Sequence, residues 1–444
     1  MPLQDVSYKK IWSIAWPIML SLLAETVINI TDTAFLGHVG EVELGAAAIG
    51  GIFYFTIAML SFGFTAGVQI LVARRYGEKD YKATGDLFNN SVYFLAALSL
   101  LITLVVLLFS SSILKPFIAS HDIFVATIKF LNYRTLGLFF ASGLFLFRAF
   151  YTGIAFTKYI SVATISTAVI NIFLAYGFIF GHFGIPQMGI AGAGLASSIS
   201  EACGLIIFAV ITVQRVDIQK YNLFKFVKPD FTSIYKILEV SVYVMIQYFL
   251  SHVVWFIFFL LIEKMGELSL AVSNIIRSIY IILLIPVWAL GSTTSSLVSA
   301  SIGEGLKERV IPIVRKVTGF NMLIMAAMAL LIFFIPKFLI SIYTSDPQLI
   351  QASIPSYYMI IGAAFVFSTS VIAFNGVLGT GNTNVGMVIE IITLAIYLVT
   401  VWVLAHVLKL PIEIVWICEY VYGIFMILFS WLYLAKGKWA KKTI

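Results

Sequence analysis

The chain has 444 residues, 61% of them hydrophobic and 11% charged, with a formal net charge of +7. Soluble domains run about 45–50% apolar and about 25% charged, so the composition excludes a soluble globular protein, and the positive balance follows membrane orientation rather than a nucleic-acid partner. Cys203 and Cys418 both fall in apolar stretches, which excludes a disulfide framework or a cysteine metal site. A crossing needs about 20 apolar residues. That window predicts twelve helices, near 11–36, 47–73, 89–110, 131–156, 160–181, 190–214, 233–262, 269–300, 317–336, 353–379, 384–407 and 412–435. No stretch reads as a cleaved signal peptide, because the apolar run after Lys9 and Lys10 leads into Glu25 and Asp32 rather than a small-residue cleavage site.

The basic residues set the orientation. Of twenty-eight Lys and Arg, five (Lys115, Lys129, Lys264, Lys337, Lys409) fall in one set of loops, and three (Arg134, Arg148, Arg277) sit in or near spans. The other twenty lie in the opposite loops and termini, which places both termini in the cytoplasm of a plasma (inner) membrane protein. The polar stretch from Arg215 to Asp230 divides the chain. The expected organisation is an N-terminal six-helix bundle over 1–214, a cytoplasmic linker over 215–232 and a C-terminal six-helix bundle over 233–444.

The two halves repeat at one offset of 226 residues. Ile18-Met19 falls on Val244-Met245, Gly40-Glu41 and Leu44 on Gly266-Glu267 and Leu270, Leu71-Val72 and Gly77-Glu78 on Leu297-Val298 and Gly303-Glu304, and Gly153 and Thr157 on Gly379 and Thr383. A single ungapped offset through four clusters is the signature of duplicated units. Six crossings per half insert both in the same orientation, as in parallel transporter repeats, with a cavity expected between halves near the midplane. The fold class is therefore an all-α polytopic membrane protein, twelve transmembrane helices in two pseudo-symmetric bundles.

Within the first crossing, Glu25, Asn29 and Asp32 fall on one helical stripe. An ionisable group at bilayer depth costs at least about 2.5–3.5 kcal/mol on insertion scales, so these residues require a protein-lined or watery interior. Asp32 reads as the ion-coupling carboxylate of a secondary transporter. For Glu25, ion coupling and a hydrogen-bonded packing role stand level; a further option is that it meets a positive charge on the substrate.

The chain resembles the multidrug and toxic compound extrusion (MATE) transporters over essentially its full length. The resemblance rests on PIMLSLLAETVINITDTAFLGHVGEVELGAAAIG, LVARRYGEKDY, INIFLAYGFIFG with MGIAGAGLASSIS, and FNGVLGTGNT. It implies two six-helix lobes that export organic, often cationic, compounds as Na⁺ or H⁺ moves inward. By motif, Asp32 matches the first-helix aspartate that binds the coupling ion, Asn171 the fifth-helix asparagine beside it, and Ser197 a common helix-six hydroxyl. Asp32 and Asn171 would be metal ligands only under Na⁺ coupling, and no cofactor beyond the coupling ion is implied. The pattern departs at Ala175, where many relatives carry an acid, and at Ser251 and Ser368, where one branch carries its C-lobe acids; that branch's second ion site is expected to be missing. Under the repeat offset Ser251 corresponds to Glu25.

Glu201 lies one turn beyond Ser197 and reads as a proton relay with Glu25 and Asp32, mutual repulsion keeping all three from being ionised together. For Asn171 and Ser197, helix–helix hydrogen bonding and close packing are the competing readings. On the seventh crossing, Met245, Tyr248, His252 and Trp255 share a face beside Gln247 and Ser251, and with Ser368 they form the candidate substrate surface, since Met and aromatic faces accept varied apolar and cationic ligands; an ordinary packing stripe is the alternative. Glu390 and Glu419 read equally as functional or as snorkelling to the interface. Arg148 is expected to pair with an acid or a helix C-terminus. A membrane-embedded enzyme finds no support in the five histidines (38, 121, 182, 252, 406), which lack metal spacing. A channel has no need of acids confined to one repeat. A lipid-linked oligosaccharide or lipid flippase of the same superfamily would want more cavity Arg or Lys than this chain has. The expected partners are a small organic substrate and the bilayer, with the protein a monomer.

Overall fold

The computed structural model describes residues 6–225 and 228–441. Residues 226 and 227 of the expected linker, and Lys442 of the basic set, lie outside the described residues. Among the described residues, twelve helices are long and apolar enough to cross a membrane: α1 Tyr8–Val39, α2 Glu41–Gly77, α3 Tyr81–Leu114, α4 His121–Gly153, α5 Lys158–Phe180, α6 Ile190–Arg215, α7 Phe231–Glu263, α8 Glu267–Gly303, α9 Lys307–Phe333, α10 Pro347–Gly379, α11 Thr383–Val407 and α12 Ile412–Lys436. No strand occurs among the described residues. Several helices run past the expected ends. The α4 helix begins at His121 because Ser120 accepts the Ile123 amide as an N-cap, a signal that apolar windows do not weigh.

The repeat lands on matching boundaries. Gly40 and Gly266 precede α2 and α8, Gly77 and Gly303 end them, and Gly153 and Gly379 end α4 and α10. The packing repeats as well. A Cβ on Gly153 would sit 3.0 Å from Val72 Cβ and 3.1 Å from the Gln69 carbonyl; one on Gly379 would sit 2.9 Å from Val298 Cβ and 2.6 Å from the Ser295 carbonyl. Each of those partners is 226 residues from its counterpart. Two units thus use the same glycine to bring the same helix pair together.

The compact units divide within helices rather than in loops. One comprises Trp16–Met245; the other comprises Met1–Ala15 with Ile246–Ile444. Small residues explain why the first part of α7 belongs with the N-terminal unit. A Cβ at Gly63 would meet Met245 Cα at 2.6 Å, and one at Gly67 would meet Ser241 Cα at 2.6 Å. Backbone-to-backbone approach of this kind, through glycines four apart, is how membrane helices gain contact without a hydrophobic drive. In the other unit, Tyr8 and Trp12 of α1 pack against Phe320 of α9.

The N-terminal unit also holds the start of the linker. The Tyr221 carbonyl fills the space beside Gly85, Asn89 bonds the Asn222 carbonyl and the Phe224 amide, and Asn222 donates to Asp86. The start of the expected linker is tied to α3. Farther along α3, Leu100, Leu104 and Leu108 are exposed, a face suited to lipid.

Candidate functional site

The small-residue run opening α6 builds the N-terminal site. A Cβ at Gly192 would meet the Phe178 backbone at 2.7 Å, and one at Gly194 would meet the Phe130 carbonyl at 2.9 Å, so α6 approaches α5 and α4 closely. This carries Ser197 and Glu201 toward α1, α4 and α5. Asp32 is half-buried. Its Oδ2 accepts from the Ser197 hydroxyl at 3.4 Å, and Ser197 accepts from the Asn171 amide at 3.3 Å; that amide also reaches Ser200 at 3.5 Å. Asp32 and Asn171 therefore meet through Ser197 rather than directly. Asp32 Oδ1 and Asn171 Oδ1 are both buried with no hydrogen-bond partner among the described residues. Buried acceptors are nearly always paired. Two orphaned oxygens beside one serine can take a proton or a hard cation, for which oxygen is the preferred ligand.

Glu201 does not reach Asp32. The Arg134 guanidinium grips it through both oxygens, at 2.7 and 2.8 Å, and lies 3.8 Å from the centre of the Tyr54 ring. The turn Thr135–Gly137 makes room, since a Cβ on Gly137 would lie 2.5 Å from Glu201 Oε2. The charges of Arg134 and Glu201 both act on Asp32. Glu25 is paired with Arg148, which settles Arg148 on an acid. The three acids read from sequence as one relay are thus two arginine-clamped glutamates and one aspartate with only a serine donor. The reason is local: α4 supplies two partly buried cations, and each takes the carboxylate facing it. A substrate cation at Glu25 would have to compete with Arg148.

The residues expected to line a substrate surface fall in both compact units. Met245 ends one unit, while the others belong to the second. Gln247 is buried and donates to the Thr383 carbonyl at 3.0 Å; Ser368 is buried with its hydroxyl on the Phe365 carbonyl. His252 Nδ1 lies 2.7 Å from the Tyr248 carbonyl, and Trp255 packs edge-on to Phe259.

The largest correction concerns Glu390 and Glu419. Neither snorkels: both are at most 3% exposed. Glu390 accepts from Ser251 at 2.6 Å and from Tyr422 at 3.1 and 3.3 Å; Glu419 accepts from Tyr397 at 3.1 Å and Tyr280 at 3.3 Å. Serine at position 251 therefore does not leave the C-terminal unit without an acid; it donates to one borne by α11. Only the fold brings four helices' hydroxyls onto two carboxylates.

Among the described residues, an all-helical chain with twelve candidate spans in two repeated units is the architecture of a polytopic membrane protein. The profile of the MatE family matches residues 17–177 and 244–403, so the chain belongs to the MatE (MATE) family of transporters. It is 28% identical over 443 residues to a probable multidrug resistance protein NorM of Thermotoga maritima, covering 98% of this chain and 94% of that one. It is 25% identical to the probable NorM of Neisseria meningitidis serogroup A over 76% of this chain and 74% of that one. Among solved structures, a variant of the Vibrio cholerae MATE transporter VcmN superposes with a TM-score of 0.89 at 18% identity, covering 98% of both chains. A MOP superfamily transporter from Pyrococcus furiosus superposes at 0.86 and 19% identity, over 99% and 98%.

Proposed function

We propose that this transporter is a secondary active antiporter that exports small organic compounds, cationic ones among them, in exchange for H⁺ or Na⁺. Asp32 takes the incoming ion, with Asn171 and Ser197 completing its polar surroundings. Ion binding there favours one arrangement of the helices over another, and alternating access of the two units follows from that difference in affinity. The observation that carries this reading is the pair of buried, partnerless oxygens on Asp32 and Asn171. The excess of Lys and Arg in one set of loops supports cytoplasmic termini and a plasma membrane location; we take the working unit to be a monomer.

The test is a reconstituted vesicle carrying ethidium, with a pH gradient and a Na⁺ gradient imposed separately. One gradient drives ethidium movement in the wild type, and Asp32→Asn abolishes it while leaving the protein folded in the membrane. Full gradient-driven movement by Asp32→Asn ends the proposal.

A further inference from the structure

Arg134, Arg148 and Arg277 lie inside spans. Arg134 and Arg148 each carry a carboxylate of their own, Glu201 and Glu25. Arg277, on α8 and ten residues in from Glu267, does not. Ten residues advance a helix about 15 Å, so Arg277 lies beyond the first two turns of α8. Arg277 makes no ion pair and no hydrogen bond to any described residue, and its Nε is buried without a partner. Its guanidinium lies 4.7 Å from the centre of the Phe259 ring, and Phe259 is in turn met edge-on by Trp255. The acids buried in the same unit are already engaged, Glu390 by Ser251 and Tyr422, Glu419 by Tyr280 and Tyr397. On the same face of α8, Asn274 is exposed and Ser278 half-exposed, each bonded back to its own helix.

An arginine at depth ordinarily pairs with an acid or faces a functional cavity. Its planar fork matches a carboxylate or phosphate through two parallel N–H donors. An aromatic face behind the guanidinium holds it flat by cation–π attraction and leaves the edge donors free. We infer that Arg277 anchors an anionic oxygen group, carboxylate or phosphate, of a bound molecule, with Phe259 and Trp255 as the aromatic wall beside it. The anion comes either from a carried compound or from an acidic lipid headgroup. The first source rests on the export reading above; the second does not.

The test uses the full chain in phosphatidylcholine nanodiscs, with no gradient, so it is independent of whether export occurs. The probes are a rhodamine bearing a free carboxylate and its methyl ester, bound in parallel and followed by fluorescence anisotropy. With a substrate anion, the wild type prefers the acid, and Arg277→Gln lowers the acid-to-ester affinity ratio by about tenfold or more, the scale of one charge-assisted contact. Arg277→Lys, which keeps the charge but not the fork, retains part of the preference and serves where the glutamine variant does not assemble. With a lipid anion, adding phosphatidylglycerol raises the melting temperature of the wild type, and that rise is lost in the variant. A variant that changes neither the ratio nor the phosphatidylglycerol effect overturns the assignment. Failure of export itself would appear elsewhere, as the absence of gradient-driven movement of any probe.

Discussion

Glu201→Gln separates a relay from a clamp. The side chains of Arg134 and Glu201 are each 15% exposed and joined by two hydrogen bonds. Removing one partner of such a buried pair costs about 3–5 kcal/mol, because the other charge is left unmatched. Glutamine keeps one acceptor for Arg134, so the expected loss is at the lower end, about 3 kcal/mol. Replacing both residues with methionine removes both charges and keeps most of the volume, which is often neutral in such pairs, so Arg134→Met/Glu201→Met should unfold within about 1 kcal/mol of the wild type. The assay is equilibrium unfolding in mixed detergent micelles, followed by tryptophan fluorescence, beside ethidium efflux normalised to folded protein. A relay would behave otherwise, losing efflux at unchanged stability. If Glu201→Gln unfolds within about 1 kcal/mol of the wild type, or the double variant is less stable than either single one, the clamp reasoning is wrong.

Gly67→Ala should destabilise the protein by about 1–3 kcal/mol, since its Cβ would meet Ser241 Cα at 2.6 Å, whereas Gly51→Ala, with nothing within 4 Å, should leave it unchanged or stabilise it slightly; the same unfolding assay reads both, and equal behaviour would refute the α2–α7 contact. Around Glu390, Tyr422→Phe and Ser251→Ala should each cost about 1 kcal/mol. The double variant should cost more than their sum, because the buried carboxylate then has no donor; a double variant as stable as the wild type would show that the hydroxyls do not hold it.

How much of this was legible in the chain varies with the physics. Span number and the repeat were readable because apolar length is a local property and the two copies keep one register. That register reaches individual contacts, with Gly153 on Val72 and Gly379 on Val298. Glycine demands at helix crossings preserve spacing where most side chains drift. Asp32, Asn171 and Ser197 were each named from sequence, yet their order, with the serine in the middle, depends on the closeness of α5 and α6. The pairings of Glu25 and Glu201 were not readable. Arg134 lies sixty-seven residues from Glu201 and Arg148 one hundred and twenty-three from Glu25, and no periodicity joins such positions. The tyrosine cages of Glu390 and Glu419 were missed for the same reason, since hydroxyls carry no charge signal in a sequence.

The duplicated units have solved the same electrostatic problem differently. Each engages two glutamates of its spans, Glu25 and Glu201 in one and Glu390 and Glu419 in the other. In the N-terminal unit, arginines from α4 neutralise both; in the C-terminal unit, tyrosines and a serine solvate both without any cation among the described residues. Once those groups are matched, Asp32 in the first unit and Arg277 in the second stand in their spans without an ion-pair partner among the described residues. Because uncompensated charge at depth is costly, neither position is explained by packing. A negative group in one repeat calls for a proton or a metal cation, and a positive group in the other calls for an acid. The asymmetry of charge across a symmetric backbone is therefore where ion coupling and substrate choice are expected to divide.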